Sequence, residues 1–98
     1  MKSPKKAPAI HIKVTGIFLG SPLNKSFEES YRHGDTVSHV LERLDKRKVL
    51  GRGFFKQLAK QGRAVFLLNG DRVESHDLSA TPLKAGDEIA VLSTIAGG

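Results

Sequence analysis

The sequence contains no cysteine. That absence excludes disulfides, thiolate metal sites, a cysteine nucleophile and a persulfide carried on this chain. It also fits a reducing compartment such as the cytoplasm, where we expect the protein to work. Long hydrophobic runs are missing too. The longest unbroken aliphatic or aromatic stretch is Ala64 to Leu68, far short of the ~20 residues needed to cross a bilayer. Residues 1–9 hold Lys2, Lys5, Lys6, Pro4 and Pro8 and no apolar stretch. They do not read as a secretory signal, and we expect a disordered basic arm. Carboxylates are in deficit: ten Asp and Glu face sixteen Lys and Arg, for a formal charge of +6. A chain of 98 residues makes one small domain, with no room for a cleft between two.

The positive charge is uneven. Residues 42–63 hold eight basic side chains against Glu42 and Asp45, whereas residues 64–98 are mildly acidic. Such a block can steer an acidic protein or a phosphate backbone toward the molecule. The plain alternative is a solvated helical surface, and that is the expectation adopted for segment 42–63.

Alternation opens the ordered part of the chain. Ile10, Ile12, Val14, Gly16 and Phe18 share one face of a strand, and His11, Lys13, Thr15, Ile17 and Leu19 share the other. Gly20-Ser21-Pro22 turns the chain, and Leu23 to Tyr31 alternates again with one wholly polar face, as in an antiparallel edge strand. Asp35 or Thr36 can cap a helix whose apolar stripe is Val37, Val40, Leu41 and Leu44. A second short helix is expected over Phe54 to Lys60, ended by Gly62. Arg63 to Leu68 reads as a strand, and Asn69-Gly70 is a strong type I′ hairpin signal. Val73 starts a short return, Ser75 to Ala85 reads as loop, and Asp87 to Leu92 is the last strand. The order β, β, α, short α, β, short β, β predicts an α+β fold. A mixed sheet with the main helix packed on one face is the economical arrangement, that is, a β-grasp. The expected domain is 10–92, followed by a slim tail over 93–98.

The sequence closes on Ile95-Ala96-Gly97-Gly98. Extended, residues 93–98 would reach roughly 20 Å. Gly97 and Gly98 lack a Cβ and can enter a channel too narrow for other residues. The group so presented is a carboxylate, which is a poor electrophile until it is activated, usually as an acyl-adenylate.

Three features coincide toward the C-terminus. A strand, Val65-Phe66-Leu67-Leu68, runs into Asn69-Gly70. A turn and strand follow, Leu83-Lys84-Ala85-Gly86-Asp87-Glu88-Ile89-Ala90-Val91-Leu92. Gly97-Gly98 comes last. Over residues 64–98 this resembles the MoaD/ThiS family of ubiquitin-like sulfur carriers, and over residues 10–50 only the order of elements does. The resemblance implies a β-grasp fold and a carrier role; no catalytic constellation is found among the residues, so we expect a substrate or carrier with no cofactor of its own and not an enzyme. The resemblance also implies that a ubiquitin-activating-type adenylyltransferase, with ATP, joins AMP to Gly98, and that sulfur then replaces AMP as a thiocarboxylate. The sulfur would pass to an acceptor of molybdopterin or thiamine type on a synthase subunit. Ser93-Thr94 stands where many molybdopterin-branch members carry prolines, so the branch stays open.

In a β-grasp sheet the first and last strands are neighbours. Their outward residues would be Thr15, Ile17, Ala90 and Leu92, and we expect Ile17, Ala90 and Leu92 to dock the activating enzyme. Other readings are a ubiquitin-like protein modifier, a basic nucleic-acid-binding module and a structural adaptor. The nucleic-acid reading lacks aromatic residues on an obvious sheet face, although Phe54 and Phe55 lie in the basic block. His11, His33, His39 and His76 show no zinc spacing. Gly51-x-Gly53 follows a helix and is no phosphate loop, and no Gly-x-Ser-x-Gly elbow is present.

Overall fold

The computed structural model describes residues 8–18 and 20–93. Its elements are β1 (Ala9–Phe18), β2 (Ser21–Ser30), α1 (Val37–Lys46), α2 (Phe54–Gln61), β3 (Ala64–Leu68), β4 (Asp71–Val73), a 3-10 helix (Ser75–Ala80) and β5 (Glu88–Ser93). Five strands form one sheet in the order β2-β1-β5-β3-β4. The central pair, β1 with β5, is parallel, and every other pair is antiparallel.

Local chemistry accounts for most of these elements. Thr36 caps α1: its hydroxyl accepts from the His39 amide, and His39 Nδ1 accepts from the Thr36 amide. This is a capping box with histidine in the place usually held by glutamate or glutamine. Val37, Val40, Leu41 and Leu44 are all buried against the sheet. Burying side chains of this size contributes roughly 1.5–3 kcal/mol each. Helix α2 has a left-handed glycine, Gly53, at its N-cap and no side-chain cap of its own. The Asp45 carboxylate of α1 supplies one, accepting from the amides of Phe55 and Lys56 at 3.0 and 3.1 Å. Asn69 (φ 51°) and Gly70 (φ 90°) both take the left-handed region expected of their turn.

The inner face of the sheet supplies Ile10, Ile12, Val14, Phe18, Phe66, Ile89 and Val91 to the core. Phe55, Leu58, Leu78 and Leu83 close it from the helices and loops. Strand ends shift by one or two residues from the reading of the sequence, Ser21 and Pro22 joining β2 instead of the turn, and two shifts move the ends of the expected domain. Ala9 belongs to β1 and pairs with Ser30, while the Pro8 carbonyl accepts from the Tyr31 amide. The arm expected over 1–9 therefore gives up its last residues to the sheet, because β2 is long enough to pair with them; residues 1–7 lie outside the described residues. Ser93 likewise belongs to β5 and not to the tail, since it pairs with Ala64. The segment expected to be loop contains a 3-10 helix that exists to bury Leu78.

Gly16 permits a close approach between β1 and the end of β5. Its φ is +136°, and a Cβ there would lie 2.4 Å from Ser93 Cβ and 2.9 Å from the Ser93 nitrogen. Valine at this position would be strained in its backbone and would also push β5 away. Gly16→Val should cost about 3 kcal/mol, read as a lower urea midpoint. An unchanged midpoint would show that the two strands separate freely at this end.

Candidate functional site

Gly97 and Gly98, the residues expected to carry the chemistry, lie outside the described residues. What the structure does define is the platform from which residues 94–98 depart. Ser93 Oγ donates to the Ile17 carbonyl at 2.7 Å, and Gly16 lets the two strands meet closely there. The last described residue, Ser93, is thus tied to the end of the neighbouring strand.

The outer face of the sheet follows from register. Ala90 lies between Lys13 and Leu67, and Leu92 lies between Thr15 and Val65. Paired residues point to the same side of a sheet, so these side chains share the face opposite the helices. Ile17 continues β1 on that face and is 47% exposed, a high value for an isoleucine. Ile17, Ala90 and Leu92 are therefore brought together as expected from the sequence. Val65 and Leu67, both half-buried, extend the patch. Every residue of β3 is apolar, so the sequence marks no outward face, and the β3–β5 pairing is what shows that they enlarge this surface.

Charge rims the patch. Lys13 pairs with Glu88 across β1 and β5 at 3.2 Å, and Arg72 pairs with Glu74 at 3.2 Å. Such exposed pairs add little stability. An apolar centre within a polar rim is the anatomy of a docking surface.

The two motifs that stood apart in the sequence meet in space. Asp87 is buried, and its carboxylate accepts from the Lys84 amide at 2.7 Å and from Asn69 Nδ2 at 3.0 Å. Asn69 Oδ1 in turn accepts from the Glu88 amide at 2.9 Å. The Asn-Gly turn and the Gly-Asp-Glu turn are thus one fastening that holds β3 to the start of β5. Its role is to fix the platform, and its side chains are consumed in doing so.

A second polar cluster lies on the inner face between β2 and α1. Arg43 reaches Glu29, Asp35 and the Ser30 carbonyl, and Arg47 also approaches Glu29. The Arg43 guanidinium holds the Asp35 carboxyl below its usual value, burial opposing, and Asp35 with Glu29 raises that of Arg43. Among the described residues, no group of three or more His, Asp or Glu could hold a metal ion. No helix there is long and apolar enough to cross a membrane.

A five-stranded mixed sheet with a parallel central pair and its main helix crossing one face defines a ubiquitin-like, β-grasp protein. The chain is similar in fold to a chain of the protein–protein complex of subunits 1 and 2 of molybdopterin-converting factor from Helicobacter pylori 26695. The TM-score is 0.51 at 23% identity, covering 90% of this chain and 99% of that one. Residues 19–98 match the ThiS family model, and the chain belongs to the ThiS family. No curated protein is significantly similar to it in sequence.

Proposed function

We propose that this protein is a sulfur carrier whose working group is the carboxylate of Gly98. The observation that carries this reading is the ThiS family match, which runs through Gly97-Gly98. In the proposed cycle a Gly98 carboxylate oxygen attacks the α-phosphorus of ATP on a partner adenylyltransferase. Pyrophosphate leaves, and an acyl-adenylate remains. Sulfide-level sulfur (HS⁻) then attacks the acyl carbon, the acyl–phosphate C–O bond breaks and AMP departs, leaving a thiocarboxylate and one released proton. The chain has no cysteine, so the donor sulfur must sit on another molecule. ATP-dependent activation belongs in the cytoplasm.

The outer face supports the same reading. Ile17, Val65, Leu67, Ala90 and Leu92 surround the point where β5 ends, so a partner seated there receives the following residues directly. The similar chain from H. pylori comes from a two-subunit complex, which supports an acceptor subunit as a second partner here, of molybdopterin or thiamine type. The chain itself acts as substrate and carrier and not as an enzyme.

The direct test is incubation with ATP and the host adenylyltransferase, followed by intact mass measurement. A mass increase of AMP, or of sulfur for oxygen when a sulfur donor is present, located on the C-terminal peptide, is the expected result. Modification on an internal lysine or serine would place the chemistry elsewhere. Leu92→Glu tests the platform. A carboxylate in the centre of the patch should weaken adenylyltransferase binding by about tenfold or more while the circular dichroism spectrum is retained. Full affinity would remove the patch from this account.

A further inference from the structure

The basic segment 42–63 has no part in the chemistry above, and the structure divides it in two. Arg43 and Arg47 turn to Glu29 and Asp35, and Asp45 is spent on capping α2. Lys46, Lys48, Arg52, Lys56, Lys60 and Arg63 are exposed and form no ion pair among the described residues. Arg52 and Arg63 flank a groove of about 550 Å³ between the end of β1 and α2. Ile17, Phe18, Leu50 and Phe54 give it apolar walls, and no carboxylate lines it.

Two observations identify the occupant. Charge complementarity asks for an anion: Arg52 and Arg63 are the charged residues lining a largely apolar groove, and no acid lines it to neutralise them. Continuity asks for a protein, because Ile17 belongs both to this groove and to the outer face of the sheet. A molecule seated on that face meets the mouth of the groove without leaving the surface. A nucleic acid fits less well. The Phe54 ring packs edge-on against Phe18 at 5.5 Å and Phe55 at 5.1 Å, and Phe55 is buried. The groove therefore offers at most the one half-buried Phe54 ring for base stacking, too little for a run of nucleotides.

We propose that this groove receives an acidic segment of the adenylyltransferase. An aliphatic or aromatic side chain enters between Ile17 and Phe54, and flanking carboxylates meet Arg52 and Arg63. The segment and the outer-face contact together form one continuous interface wrapping the end of β1. This deepens the carrier reading and rests on it.

The test uses the full chain and the purified adenylyltransferase, with titration calorimetry at low and high salt. The double variant Arg52→Glu, Arg63→Glu is compared with Leu92→Glu, and thermal unfolding confirms that each is folded. Both arginines are exposed, so the double variant should melt with the unaltered protein. Its affinity should fall by about tenfold to a hundredfold, with the difference shrinking at high salt. Normal affinity for the double variant beside weak binding of Leu92→Glu would overturn the groove while leaving the outer-face reading intact. Normal affinity for both would bring down the docking reading itself. A single-stranded oligouridylate provides the remaining arm. If it binds the unaltered chain, is lost in the double variant, and adenylyltransferase affinity does not move, the cations serve RNA and the proposal fails.

Discussion

Deletion of Gly98 is expected to abolish transfer of AMP or sulfur to the chain while leaving its unfolding transition unchanged. The shortened chain still ends in glycine and still carries a carboxylate, so neither slimness nor chemistry is lost. What changes is reach: one residue fewer withdraws the carboxylate by up to ~3.5 Å from wherever the platform delivers it. Acyl transfer needs reacting atoms about 3–3.5 Å apart, and a displacement of ~1 Å can already cost about a hundredfold. The folded head should not register the change, because the described core ends with β5 at Ser93. Gly98→Ala separates reach from width: the carboxylate returns to its place, but a methyl group enters any narrow channel. Intact mass after a timed incubation with ATP and adenylyltransferase reads both variants. Undiminished labelling of the deleted chain would sink the assignment to Gly98.

Arg43→Ala should produce the largest loss of stability among the charged residues. Arg43 donates from Nη1 and Nη2 to the two oxygens of Asp35 at 2.9 and 2.6 Å, from Nε to Glu29 at 3.0 Å, and from Nη2 to the Ser30 carbonyl at 2.8 Å. Asp35 and Glu29 are only 5% and 8% exposed. Removing the guanidinium leaves two buried carboxylates short of a partner, a change that typically costs about 3–5 kcal/mol. Arg47 at 3.4 Å from Glu29 keeps the expected figure near the lower end, about 3 kcal/mol.

The pH dependence gives this prediction its sign. Asp35 is held below its ordinary value of 3.8, chiefly by the hydrogen bond from Arg43. The folded state therefore binds fewer protons than the unfolded chain in acid. The stabilisation is full above the unfolded value and is lost as pH falls through the lower folded one. In Arg43→Ala that contribution is gone, so the deficit should be greatest near neutrality and smaller toward about pH 3. Urea unfolding at both pH values checks it. Equal deficits would assign the loss to packing of the arginine stem and not to its charge.

The main elements were legible in the sequence because each rests on short-range chemistry. The period-two alternation of Ile10 to Phe18, the 37-40-41-44 stripe and the Asn69-Gly70 turn need no partner to be recognised. The β1–β5 neighbourhood followed from the β-grasp order, but features that depend on residue-by-residue register were not legible. The wholly apolar run Ala64–Leu68 does not reveal that Val65 and Leu67 enlarge a face beginning on β1; the antiparallel β3–β5 register does. The Asp87–Asn69 fastening spans eighteen residues, and nothing local marks either residue as its half. Gly16 looked like one more position on an inward face, and only Ser93 opposite it explains why a side chain is forbidden. The basic block could be counted but not divided, because Arg43 and Arg52 differ only in what the fold places beside them. His39 shows no zinc spacing, and its part in closing the first turn of α1 is visible only from its contact with Thr36. The family's terminal glycines and Asn-Gly and Gly-Asp-Glu turns were visible as a pattern, and the ThiS match agrees with them.

The parallel pairing of β1 with β5 joins residues 11–15 to residues 88–92. During synthesis, the hairpin and both helices emerge while one edge of β1 stays uncovered, and the long sequence separation of its missing neighbour makes that closure a late event. A nascent or truncated product lacking β5 cannot assemble Ile17, Ala90 and Leu92 into one surface. A surface of this kind therefore exists only once translation has proceeded through residue 92 and β5 has closed against β1.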